Sequence, residues 1–120
     1  MTPSETKFAP AVLEQEQDPF ELADLYPRNT GLPMTVWASV QGGARHDARV
    51  KVCMAHGDRM DPGNTAVVAI RPLPRLLHGT LPPADLAAVA AWVALNEVAL
   101  IDYWDGRIDT LEFAQRLRKV

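Results

Sequence analysis

Apolar positions change their period twice along this chain. From Thr35 to Val40, Val36, Ala38 and Val40 alternate with Thr35, Trp37 and Ser39, the two-residue repeat of a strand with one buried face. A second strand follows in Ala48–His56, with Val50, Val52 and Met54 facing one way and Arg49, Lys51 and Cys53 the other. Between them, Gln41-Gly42-Gly43-Ala44-Arg45-His46-Asp47 is a glycine-rich connection, so the two strands make a hairpin. Residues 57–64 are dense in turn formers, and Asp61-Pro62-Gly63-Asn64 is a strong β-turn signal. The third strand, residues 65–71, is apolar on both faces, which places it centrally or beneath a helix. Residues 71–79 cannot be helical, because Pro72 and Pro74 restrict the residues before them. They are expected to run extended across one face or edge, tacked down by Leu73, Leu76 and Leu77.

The period then lengthens. Between Pro82 and Trp104, Leu86, Val89, Ala90, Val93, Glu97, Leu100, Ile101 and Trp104 share one side of a helix, which ends at Asp105-Gly106. Pro83 suits the first helical turn and Asp85 complements its dipole. Glu97 is an awkward carboxylate in this stripe. It is expected to reach a cation, chiefly Arg45, Arg49, Arg71 or Arg75, and to fix the helix on the sheet. A short last helix starts at a capping box formed by Asp109 and Glu112, with Leu111, Phe113, Ala114 and Leu117 available to pack. The expected fold is α+β: a three-stranded antiparallel meander packed on one long helix, plus a short C-terminal helix.

Residues 1–30 show no clear period and are punctuated by proline, which predicts a flexible acidic arm ahead of one α+β domain over 31–120. Within the arm, Asp18, Pro19, Phe20, Leu22 and Leu25 suit either a tail without fixed structure or a short helical motif that docks on a partner or back on the chain's own basic sheet. The 120 residues suffice for one core. The net charge of −3 hides a division: −4 over residues 1–30, +3 over 31–78 and −2 over 79–120, with all three histidines in the basic middle. Cys53 is the only cysteine, so an internal disulfide is excluded and a reducing, cytoplasmic setting is expected. No apolar run approaches the ~20 residues of a membrane helix, and the start lacks the pattern of a signal peptide.

Arg45, Arg49 and Lys51 form a basic ribbon on the non-core face of the second strand, with Trp37 beside them. Base, base and aromatic on one sheet face is a way for a small sheet to hold a single-stranded nucleic acid, and also what an ordinary solvated face shows. His46 and His56 lie ~30 Å apart on a straight strand, too far to share a metal, so no metal site is expected. An RNase-like site would set a histidine beside Arg49 or Lys51. No Ser/His/acid spacing and no phosphate-binding glycine loop is present, and Cys53 reads as a packed residue, which argues against an enzyme.

The tryptophan-bearing helix with Trp92, Asn96-Glu97, Leu100 and Trp104, together with the strand entry Ala44–Val50, resembles small bacterial domains of unknown function over about residues 34–105. In those domains a proline stands in the strand entry with a second histidine; both are absent here. The resemblance implies a short sheet followed by that helix, and a toxin–antitoxin-like partnership rather than catalysis. The expected function is therefore a small cytoplasmic protein-interaction or regulatory module without a cofactor. Its binding residues would be Trp37, Arg45, His46, Arg49, Lys51 and His56. The alternative is an RNA-binding or RNA-cleaving domain that uses the same basic and histidine face.

Overall fold

The computed structural model describes residues 22–120. In chain order these form β1 (Leu22–Leu25), α1 (Pro27–Thr30), β2 (Val36–Ser39), β3 (Arg49–Cys53), β4 (Thr65–Ala69), β5 (Arg75–His78), α2 (Pro83–Leu95), α3 (Glu97–Trp104) and α4 (Thr110–Arg116). The class is α+β, but the sheet is a five-stranded antiparallel meander in the order β1-β2-β3-β4-β5, and four helices accompany it among the described residues. The expected three-stranded sheet is thus only its centre, β2 to β4.

Both additional strands are four residues long, as is β2, but β1 lies in a stretch without a clear period and β5 follows Pro72 and Pro74 with two adjacent leucines, so alternation marks neither. In β1, Ala23 and Leu25 are buried while Leu22 and Asp24 are exposed, so the alternation is there once the sheet supplies a face. Pro27 then opens α1, and a cation–π contact sets Arg28 over the Tyr26 ring. The boundary of the arm moves accordingly. Residues 22–30 belong to the domain, and Thr30, fully buried, accepts a hydrogen bond on its carbonyl from the Val120 N–H at 3.0 Å. Of the short helical motif placed on residues 18–25, the part up to residue 21 lies outside the described residues, and the rest is strand. In β5 the expected extended connector docks as an edge strand on β4, across an irregularity in register between Val67 and Val68.

The long helix is the second correction. It breaks at Asn96 into α2 and α3, which are bent by 74°. The apolar period runs through the break, so hydropathy alone reads one helix. The cause is a side chain that competes with the helix for backbone partners. Asn96, only 3% exposed, donates from Nδ2 to the carbonyls of Trp92 (3.0 Å) and Arg118 (2.9 Å), and its Oδ1 accepts from the Arg118 N–H (2.8 Å). One amide thus ends α2 and ties the C-terminal segment to the turn.

The bend carries Glu97 to the outside. It is exposed, no ion pair to it is found among the described residues, and Arg71 feels it only as a minor through-space charge. Glu97 does not fix the helix on the sheet. That fixing is apolar: Val89, Trp92, Val93, Leu100 and Tyr103 join Val36, Ala38, Val50, Val52 and Val68 in one core, each large side chain contributing about 1.5–3 kcal/mol on burial. Tyr103 stacks on Phe113 of α4 at 4.4 Å. Asp109 caps α4 by accepting from the Glu112 N–H at 2.8 Å, the N-cap half of the expected capping box, but Leu111 is exposed rather than packed.

Candidate binding surface on the open sheet face

The helices contributing to the core lie against the face of Val36, Val50 and Val52, so the alternate side chains form a second, open face. Register builds a row across it. Asp24 of β1 stands opposite Trp37 of β2, Trp37 opposite Lys51 of β3, Lys51 opposite Val67 of β4, and Val67 opposite His78 of β5. Two residues along β3, Arg49 stands opposite Ala69, itself opposite Arg75.

At the end of the sheet where the β2–β3 loop turns, this face sinks into a depression of about 460 Å³. Its walls include Leu22, Trp37, His46, Arg49, Lys51 and Trp104. Of the residues expected from sequence, Trp37, His46, Arg49 and Lys51 therefore meet in one place. The loop is held over it by Asp47, whose carboxylate takes a bidentate contact from Arg71: Nε at 3.1 Å to each oxygen and Nη2 at 2.9 Å to Oδ1. That hydrogen bond, with help from the Ala48 backbone, lowers the Asp47 pKa below its ordinary 3.8 and raises that of Arg71. His46, next in the chain, donates from Nδ1 to the Asp47 carbonyl at 3.0 Å and lays its ring against Trp104 at 5.6 Å between centroids. Trp104 is in turn anchored by its carbonyl, which accepts from the Gln41 N–H at 2.9 Å.

Arg71 takes the Asp47 carboxylate directly, and Arg49 feels that carboxylate only through space. Neither Arg49 nor Lys51 has an acidic partner among the described residues, and Arg49 Nε is enclosed without any hydrogen-bond partner. The indole Nε1 of Trp37 is likewise enclosed and unpartnered. Asp24 is the acid in the same row, beyond Trp37 at the sheet edge. An arginine fork, an ammonium and an indole in one hollow suit a carboxylate or phosphate carried next to a flat or apolar group.

The other two expected residues go elsewhere. Arg45 is exposed on the loop and does not line the depression. His56 sits past the opposite end of β3, where Nε2 meets Oδ2 of Asp85 at 2.9 Å, joining the β3–β4 loop to the first turn of α2. The two histidines consequently share no site. Cys53 is buried in the core, and no group of three His, Cys, Asp or Glu side chains placed to hold a metal occurs among the described residues.

No protein-family model matches this chain, and no curated protein or solved structure matches it.

Among the wall residues not expected from sequence, two stand on elements away from the β2–β3 hairpin, Leu22 and Trp104. Trp104 reads as part of the helix stripe, and Leu22 as part of the arm. The only signal for Trp104 was its position as the last residue of the stripe, where a large side chain reaches the end of the core. Leu22 is marked only as part of an apolar patch on a short helical motif, whereas it stands on a strand.

Proposed function

We propose that this protein is a non-enzymatic, cytoplasmic binding module that captures an acidic segment of another protein on its open sheet face. Arg49 and Lys51 take the carboxylates, and Trp37 receives an adjoining apolar or aromatic side chain. The observation that carries this reading is the pair of cations without acidic partners beside an indole in one hollow. His46 donates from Nδ1 to the Asp47 carbonyl, which holds the ring at the rim of the hollow.

The cross-strand pair of Trp37 and Lys51 favours a second reading, in which a nucleobase stacks on the indole and the cations take phosphates. Size supports the first reading. Non-specific single-strand sites track roughly 4–16 nucleotides, whereas the depression, about 460 Å³, offers two cations, Arg49 and Lys51. Two phosphate contacts would give a log–log salt slope of only about −1.4.

The test is binding of a fluorescent peptide of alternating glutamate and phenylalanine, beside a uridine oligomer of ten nucleotides. Arg49→Glu with Lys51→Glu is expected to weaken the peptide at least about tenfold, consistent with two charge-assisted contacts of roughly 1 kcal/mol or more each. Peptide affinity left intact in the double variant removes the proposal. Binding of the uridine oligomer alone, lost in Trp37→Ala, installs the second reading in its place.

A further inference from the structure

The open-face depression lies where the chain enters the fold. Leu22, the first described residue, is itself one of its walls and stands opposite Ser39, the last residue of β2. Since β1 and β2 are antiparallel, the chain arrives at Leu22 from the side of the β2–β3 loop, the side that carries Arg45 and His46. Arg49 and Lys51 lie two strands from β1, about 10 Å at ordinary strand spacing.

Residues 1–21 carry Glu5, Glu14, Glu16, Asp18 and Glu21 against Lys7 alone, a net charge of −4. Four residues of chain reach up to roughly 14 Å. Asp18 is thus within span of the unpaired cations, and Phe20 lies between it and Glu21. A segment of opposite charge, bearing an aromatic between two acids, is joined to the rim of a cationic and aromatic hollow.

We propose that residues 1–21 act in cis as a competitor for the depression formed by Trp37, Arg49 and Lys51, so that a partner's acidic segment binds by displacing the chain's own. This rests on the binding reading above. A short tether holds its ligand at about millimolar effective concentration. A cis contact with a Kd below roughly 0.5 mM then lowers the apparent affinity for an outside ligand about threefold or more.

The experiment uses the full chain, the glutamate–phenylalanine peptide as probe, and the indole N–H signal of Trp37 in a nitrogen–proton correlation spectrum, assigned with Trp37→Phe. Four variants are compared: the native chain; a neutralised arm with Glu14→Gln, Glu16→Gln, Asp18→Asn and Glu21→Gln; a neutralised site with Arg49→Gln and Lys51→Gln; and the two together. Neutralising the arm is expected to tighten probe binding at least about threefold and to move the Trp37 signal, and to do neither in the neutralised-site background. If the site variant weakens the probe while the arm variant changes nothing, the competitor is refuted and the binding site stands. If the site variant leaves the probe unaffected, the site itself is refuted. Tighter binding with a stationary Trp37 signal means distant repulsion and overturns docking. A Trp37 shift that grows with protein concentration means that a second copy's arm is the occupant, and overturns the claim in cis.

Discussion

On β3 the chain makes two surfaces from one short strand. Val50 and Val52 point into the core and are almost wholly inaccessible, while Arg49 and Lys51 between and beside them point to the other face, where no acid among the described residues pairs with them. The covered face meets apolar helices and holds the fold together by burial. The open face contributes little packing and keeps uncompensated charge. Two neighbouring positions on one strand thus answer to different demands, and a substitution should disturb either stability or binding, seldom both.

The largest expected effect is on the covered side. Trp92→Ala empties the centre of the core and should cost about 3–5 kcal/mol, read by chemical denaturation. In such a small domain this leaves little residual stability. Next is Asn96→Ala, which removes three hydrogen bonds at the α2–α3 joint, one buried and two part-buried, and takes the side-chain partner from the Arg118 backbone. A loss of about 2–3 kcal/mol is expected, with peptide binding preserved wherever the protein is folded. A cost below about 0.5 kcal/mol would mean that the bend is held by packing alone. Charge reversal of Arg49 and Lys51 is the opposite case, with binding lost and stability changed by less than about 1 kcal/mol. A collapse of the fold in that variant would break the division between the faces.

The smallest effect belongs to the loop that joins the two. Asp47 has its folded-state pKa held below the unfolded value of 3.8, so its contact with Arg71 stabilises the loop fully above that value. The contribution is lost as pH falls through the lowered pKa. Asp47→Asn should therefore loosen the loop at neutral pH, seen as faster hydrogen exchange over residues 44–48, and should make loop exchange insensitive to acidification in the range where the native loop responds. Both partners are well exposed, so global stability should hardly change. Unaltered exchange in the variant would show that His46 stays on Trp104 without this clamp.

Much of the central sheet was legible because alternation over five or more residues is a local signal. The Trp37, Arg49 and Lys51 group followed from the same alternation, and the register of β2 with β3 then set Trp37 opposite Lys51. His46 joined them through a loop clamp to Arg71, 24 residues from Asp47, which no local pattern announces. His56 left the group for Asp85 for the same reason. Glu97 misled because its place in a helical stripe assumes an unbroken axis, and Asn96 broke it.

What the sequence alone determined is set by near neighbours: the three inner strands, the turn at residues 61–64, the caps at Gly106 and Asp109, and the separation of charge along the chain. What only the tertiary structure decided depends on distant partners. β1 and β5 carry no local period and become strands by completing the sheet edges, and at the 74° bend Asn96 is held by the distant Arg118 backbone. The depression itself exists because Leu22, Trp104 and the β2–β3 loop converge on one end of the sheet. Those segments come from the first strand, the third helix and the loop between them in the chain, a meeting that hydropathy along the sequence does not encode.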